Sequence, residues 1–413
     1  MTTTVEDADV THSERAFWTY WGASTASGLG SAVTGVALPL TAVLLLHAST
    51  FEMGLLAAAS YVAWLIVGLP AGALVRGLPL RATQVALDLV RAVAIATIPL
   101  AWWAGVLALW QLLVVALVIS FANVFFSVAN STFLPRVVPK AKLHERNSLM
   151  SGTDAVTQLG GPSLGGVLVQ TVGAAAAMYV DAASYLVSAL FLRTLPAVTQ
   201  TREPTAQPAP LRRQIREGWD FVTGHAVMNA CMWDATVSNF VCGGQMALFA
   251  VYLVRHAHAP AGLVGFLLAS EGVGSLIGAA LSPRVVRAVG SARACLIAGL
   301  VSVGGALLIP IGHATVACVM FALGNVVFAA GAVIVSTATR TFRQIATPPE
   351  LLSRVMATVR FVSWGAIPVG SLVAGALGSW IGVRQTLFLL GALTALSPLI
   401  LLLSPVRRMR DLT

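Results

Sequence analysis

Residues 196–227, PAVTQTREPTAQPAPLRRQIREGWDFVTGHAV, form the longest stretch of this 413-residue chain that an apolar environment would reject. Pro196, Pro204, Pro208 and Pro210 keep its first half extended, as proline lacks the N–H and the backbone freedom that a helix needs. Leu211, Ile215, Trp219 and Val222 then recur at helical spacing among Arg212, Arg213 and Arg216. That pattern predicts a linker followed by an amphipathic helix lying on a membrane surface. Six apolar runs precede the stretch and six follow it.

The runs cover about residues 17–46, 51–75, 82–104, 106–131, 149–171 and 174–195, then 228–254, 260–283, 292–312, 314–339, 355–380 and 383–405. Each is long enough for a helix to cross roughly 30 Å of hydrocarbon. None shows the period-2 alternation of a membrane barrel. Hydrophobic residues make up 57% of the chain and charged ones 10%, with a mean hydropathy of +0.84, too apolar for a water-soluble surface. The expected fold class is therefore an all-α membrane protein of about twelve transmembrane helices in two six-helix halves. Its expected parts are a tail at 1–16, a first half at 17–195, the linker at 196–227, a second half at 228–405 and a tail at 406–413.

A net charge of +9 and a pI near 10.1 suggest nucleic acid at first sight. The basic residues, however, sit in short loops without interleaved aromatics, which disfavours that partner. With the N-terminus inside, 21 of the 25 Lys and Arg fall on the cytoplasmic side and only Arg255 and Arg384 in outer loops. Positively charged loops stay in the cytoplasm, so both termini are expected there, in the bacterial inner (plasma) membrane. The residues through Glu14 are polar and acidic, so the first span is expected to direct insertion itself. Cys231, Cys242, Cys295 and Cys318 lie in apolar runs and read as small hydrophobes, without disulfides.

The halves repeat weakly. Pro139, Leu143 and Arg146 precede a helix carrying Pro162, Gly165 and Gly166, and Pro348, Leu351 and Arg354 precede one carrying Pro368, Gly370 and Gly375. Internal repeats of this kind are typical of transporters. Carboxylates inside spans are costly and mark either structural pairing or proton relay. Asp88 stands one turn from Arg91, spacing for an intrahelical pair. Asp154 and Asp234 lie within about two turns of the inner face and read as gate or capping groups. Glu271 sits halfway along the eighth run, sharing a face with Gly274, Ser275 and Gly278, with nothing basic within a turn. Asp181 shares a face with Ser184, Tyr185 and Ser188. Glu271 and Asp181 are the proton-coupling candidates; the alternative is that neighbouring hydroxyls satisfy both and they only hold helices together.

Polar stripes mark candidate cavity walls, since polar groups facing lipid go unsatisfied. These are Tyr20, Ser24, Ser27, Ser31 and Thr34; Ser120, Asn123 and Ser127; Asp234, Ser238 and Gln245; and Asn325. Small hydroxyl residues also glue helices together in membranes, which is the competing reading for each. Gly161-Pro162-Ser163-Leu164-Gly165 fits a hydrolase nucleophile elbow in letters only, because it lies inside an apolar helix with no partner His. His256 and His258 beside Arg255 read as solvated rather than metal-binding. No Walker-type phosphate loop occurs, so ATP is not expected to power the protein directly.

Taken with Asp181-Ala182-Ala183-Ser184-Tyr185 and the stretch from Pro348 through Arg354-Val355-Met356 to Pro368-Val369-Gly370, the Gly161-Pro162-Ser163-Leu164-Gly165-Gly166 segment resembles the major facilitator superfamily. Within it the chain resembles the macrolide-efflux and enterobactin-exporter-like subgroup, over nearly its whole length. Gly161, Pro162, Gly165 and Gly166 look like the end of that superfamily's antiporter motif, whose earlier Gly is Thr157 here. The loop after the second span departs from the family pattern. Where the subgroup reads like Val-Asp-Arg-Leu-Pro-Arg-Arg, this chain has Val75-Arg76-Gly77-Leu78-Pro79-Leu80-Arg81, without the acidic partner of the inner-gate charge network. Arg76, Arg81, Asp88, Arg91, Arg146, Asp154 and Arg354 are the candidate inner-gate residues. The resemblance implies a secondary transporter, not an enzyme, that exports a small amphipathic organic compound such as a drug or natural product. It would work as a monomer in the bilayer, in exchange for protons, with the proton gradient as energy source and no cofactor. Uptake or lipid handling on the same scaffold, or a receptor or assembly factor that has lost transport, are the alternative readings.

Overall fold

A computed structural model describes residues 4–68, 70–75, 78–139, 142–195 and 211–412. Arg76, Lys140 and the Pro-rich stretch 196–210 lie outside the described residues. The described chain is helical: α1 Thr4–Leu44, α2 Thr50–Val67, α3 Ala71–Val75, α4 Leu80–Trp103, α5 Leu109–Val137, α6 Leu143–Val172 and α7 Ala174–Thr194 precede the linker. The amphipathic α8 spans Leu211–Gly224. It is followed by α9 Ala226–Arg255, α10 Ala261–Val289, α11 Ser291–Leu308, α12 Ala314–Ala346, α13 Pro349–Trp380, α14 Val383–Leu393 and α15 Leu396–Leu403.

Eleven segments are long and apolar enough to cross a bilayer among the described residues. The remaining one, α6, is 30 residues long but carries Ser151, Thr153, Asp154, Thr157 and Gln158 up to its midpoint. It packs on α1, α7 and α10, so part of its surface meets protein rather than lipid. Two expected spans are broken, in both cases by proline. Pro70 separates α2 from α3, and Pro398 sits one turn beyond the break between α14 and α15 at Thr394–Ala395. The proline ring clashes with the carbonyl four residues earlier and offers it no N–H.

Helix boundaries have local causes. Ser49 and Glu52 cap α2 reciprocally, with Ser49 N–H donating to Glu52 Oε2 at 2.6 Å and Glu52 N–H to Ser49 Oγ at 3.3 Å. Gly173, at φ +90°, and Gly382, at φ +96°, turn α6 into α7 and α13 into α14 at equivalent points of the two halves. A side chain at that φ would be strained.

In the first half α7 packs on α1 and α4, and α5 packs on α2 and α4. In the second, α13 packs on α9, and α12 on α10 and α11. The halves meet through α2 against α13 and α6 against α10. Both seams close where glycines remove side chains. A Cβ on Gly54 would lie 2.8 Å from Gly375 Cα, and one on Gly166 would lie 2.7 Å from Gly265 Cα. These contacts are at the end of the bundle opposite the termini. Gly262 N–H donating to Gln170 Oε1 (3.1 Å) and Arg255 Nη2 donating to the Ala48 carbonyl (2.6 Å) also bridge the halves there.

Candidate functional site: the central cavity

At the end carrying the termini the halves part around a cavity of about 700 Å³. Its walls come from the last turns of α2, α5 and α12 and the first half of α9 and α13, including Trp64, Ser127, Asn239, Arg340, Arg343, Arg360 and Trp364. Two smaller cavities adjoin it. One, of about 250 Å³, lies in the second half and shares Asn239 and Arg343 with the vestibule. The other, of about 260 Å³, lies mainly in the first half and shares Trp64. The protein is therefore open toward one side and sealed toward the other.

The first-half cavity is bounded by Ser31, Thr34, Tyr61, Asn123, Asp181 and Tyr185. Asp181 is fully buried. Its Oδ1 accepts from Ser184 Oγ at 3.1 Å, while its Oδ2 has no hydrogen-bond partner. Gly30 makes this approach of α7 to α1 feasible, since a Cβ there would fall 2.4 Å from Asp181 Oδ1. Ser31 hydrogen-bonds Tyr185 at 2.8 Å across the same helix pair. The second-half cavity holds Glu271 with Asp234, Ser238, Cys242 and Ser275. Glu271 is accessible and makes no ion pair among the described residues. Asp234 accepts a hydrogen bond from Ser397, whose hydroxyl also receives one from Ser238 at 3.4 Å. Gly274 and Gly278, expected on the Glu271 face, instead press against the backbone of Val326 and Ala330 on α12.

The polar stripes divide. Ser31, Thr34, Asn123, Ser127, Asp234 and Ser238 border cavities. Others join helices. Tyr20 Oη donates to the Asn130 carbonyl (3.5 Å) and its ring tilts against Phe133, with Ser24 beside it. Ser120 accepts from Ala63 N–H at 3.4 Å, and Asn325 donates to Ser270 at 3.1 Å. Ser27 and Gln245 are buried and border none of the three cavities.

The expected inner-gate residues do not converge. Arg91 Nη2 meets Asp88 Oδ1 at 2.5 Å, Asp88 Oδ2 accepts from Ser188 at 2.7 Å, and Arg91 Nη1 donates to Asn123 at 2.9 Å. The guanidinium also lies over Phe126 and Tyr185. This cluster ties α4, α5 and α7 together inside the first half rather than joining the halves. Arg146 is buried against Phe17 and Trp18 and faces Glu14 at 3.6 Å. Arg81 donates to the Leu195 carbonyl, Arg354 pairs with Glu217 of α8, and Asp154 is exposed. Among the described residues no ion pair joins the halves at this end, as an open vestibule requires.

The glycine motif works on two neighbours. Gly161 and Gly165 face α1, where a Cβ would meet Ala32 or Val33, whereas Gly166 and the Pro162 carbonyl face α10. At the position where the antiporter pattern has its earlier Gly, Thr157 fills the gap with its methyl opposite Gly28 of α1. The small residue has moved to the facing helix. The residues overlooked from sequence are Arg340 and Arg343, which counted among the inner-side charges, and Arg360, which fell within a span end on the inner side; all three line the vestibule. Their clue was the depth of Arg360, eleven residues into α13, roughly 16 Å along the helix.

Comparison with known proteins agrees with this architecture. The MFS_3 family model, described as transmembrane secretion effector, matches residues 11–413. The chain is 26% identical over 399 residues to the uncharacterized MFS-type transporter YfiS of Bacillus subtilis, covering 94% of this chain and 93% of that one. It is 28% identical over 403 residues to the multidrug efflux pump Tap of Mycobacterium tuberculosis, with the same coverage. Among solved structures, a point mutant of the nucleoside transporter NupG superposes with a TM-score of 0.77 at 11% identity, covering 94% of this chain and 99% of that one. A bacterial homologue of the iron transporter ferroportin in an inward-facing state gives 0.71 at 16% identity, covering 94% and 98%. The helical halves and their glycine seams accord with the match of the family model over nearly the whole length and with the MFS-type transporters among the relatives, which make this chain a transporter, not an enzyme, and a member of the transmembrane secretion effector family of the major facilitator superfamily.

Proposed function

We propose that this transporter exports an amphipathic organic compound in exchange for protons. The observation that carries the reading is the pair of carboxylates bordering the central cavities without ion-pair partners among the described residues: Asp181, hydrogen-bonded by Ser184, and Glu271. A carboxylate among apolar helices persists where it has a role. One that meets water from alternating sides can load a proton on one and release it on the other. The relatives named as multidrug efflux pumps support export. Mixed aromatic and polar walls support an amphipathic cargo.

Growth of a pump-deficient bacterial strain against a compound panel identifies a cargo. Inverted vesicles with an acid interior then test the coupling, because export appears there as uptake. Wild-type protein accumulates the cargo against its gradient. Glu271→Gln abolishes accumulation while retaining binding, with Asp181→Asn as the second choice. Accumulation at the wild-type level by both variants overturns the coupling assignment.

A further inference from the structure

Arg340, Arg343 and Arg360 converge on a vestibule bordered by no carboxylate among the described residues. Arg343 is only 8% exposed, and its Nε and Nη1 have no hydrogen-bond partner. The Arg360 guanidinium lies 4.9 Å from the Trp64 ring centroid and 4.5 Å from that of Trp364. Those two rings meet edge to face across the seam between the halves. The acidic groups around are engaged or set apart. Glu217 holds Arg354 and Arg213, Asp220 holds Arg216, and Asp234, which borders the adjoining cavity together with Arg343 and acts on it through space, accepts from Ser397 and makes no ion pair with Arg343 among the described residues. Glu271, in that same cavity, also forms none among the described residues.

Loop arginines satisfy the rule for charge orientation while remaining in water, but a buried guanidinium with two unused donors does not. An unpaired buried cation is costly, and low-dielectric walls focus its field on whatever enters. The planar guanidinium fork matches the two oxygens of a carboxylate, sulfonate or phosphate. Trp64 and Trp364 supply flat apolar faces for an aromatic body next to that charge.

We propose that the vestibule is a binding site for amphipathic organic anions, with Arg343 as the principal ligand of the anionic group, Arg340 and Arg360 supporting it, and the two tryptophans holding the apolar part. This deepens the export reading by naming the class of cargo. It also accords with outward movement, since an interior-negative membrane potential drives an anion out of the cell. An anionic lipid headgroup shares the chemistry of the anionic group, so the test separates the two sources.

Purified full-length protein in phosphatidylcholine nanodiscs is titrated with 1-anilinonaphthalene-8-sulfonate and with N-phenyl-1-naphthylamine, which has the same rings and no charge. The sulfonate binds saturably. Arg343→Gln and, independently, Arg360→Gln weaken it by about tenfold while changing the neutral compound by less than about twofold, as expected for the loss of charged hydrogen bonds. Arg360 lies on the cavity surface, so its variant keeps the test valid if Arg343→Gln does not fold. Equal effects on both compounds, or sulfonate binding unchanged in both variants, overturn the proposal. Exchange of about half the lipid for phosphatidylglycerol leaves sulfonate affinity unchanged if the site takes a free anion; displacement by that lipid overturns the proposal in favour of a headgroup site. Because this is equilibrium binding, it stands or falls separately from proton-driven accumulation.

Discussion

Asp88 and Arg91 illustrate how far a single pair of residues can be read. Their i, i+3 spacing made the ion pair legible from sequence. Which neighbours would complete it was not legible, because Ser188 and Asn123 come from helices distant in the chain. Both charges are buried, so removing one strands the other. Asp88→Ala is expected to cost about 3–5 kcal/mol, and the double change Asp88→Ala with Arg91→Leu less than the single one, because it leaves no uncompensated charge. Thermal unfolding in detergent measures both variants, and a double variant less stable than Asp88→Ala would refute the account. The same limit applies to the stripe on α1. Periodicity placed Tyr20, Ser24, Ser27, Ser31 and Thr34 on one face, yet that face passes from a packed interior at Tyr20 to a cavity at Ser31 and Thr34. Only the surrounding helices decide which hydroxyl glues and which lines.

Helices were the most legible elements, because hydrocarbon thickness imposes a length and water imposes polar ends. Their extensions beyond the bilayer were not, since hydropathy stops reporting where helix hydrogen bonding continues. The run expected to end at 339 remains helical to Ala346. Within α6, the motif Gly161 to Gly166 was legible as a packing surface but not as two surfaces. Gly165 faces α1, where a Cβ would lie 3.1 Å from Val33 Cα, and Gly166 faces α10 of the other half, with 2.7 Å to Gly265 Cα. Gly166→Ala is therefore expected to force the sealed end apart, and Gly165→Ala to leave it closed. Spin labels at Val172 and Leu263, both exposed at that end, should report a longer distance for the first variant only. The same lengthening in both would show that the two faces are not independent. The amphipathic α8 was equally legible, and its docking was not. Gly218 lets it approach Arg354 and Thr358 of α13, and Glu217 joins Arg354. The hydrogen bond from Arg213, helped by the charge of Arg354, holds the Glu217 carboxyl below its usual range. A lowered native pKa means that this support is complete above the ordinary carboxylate value and is lost as pH falls through the lowered one. A nitroxide at Asp220 should gain mobility below about pH 4, and at neutral pH in Glu217→Gln. Mobility independent of both would show that packing alone holds the helix.

At the scale of the whole molecule, the two-half architecture followed from counting spans, whereas the side on which it opens could not. That depends on seams whose alternative packings use the same residues, and a transporter needs those packings to be close in energy. The vestibule lies at the end that holds Glu14 with Lys142, Arg81 with Leu195, and Ser291 with Asp411. The sealed end carries Arg255 bonded to the Ala48 carbonyl and Arg384 bonded to the Pro310 carbonyl. From the distribution of Lys and Arg the first of these ends is expected on the cytoplasmic side. Orientation can be tested in intact cells after the four native cysteines are replaced, using a membrane-impermeant thiol reagent. Val106→Cys lies in the loop between α4 and α5 at a position 68% exposed, and is expected to react at once. Asp220→Cys, on exposed α8, is expected to react only after the cells are permeabilised. The opposite pattern would invert the molecule in the membrane, turn the vestibule outward and make the same cavity an entrance for uptake.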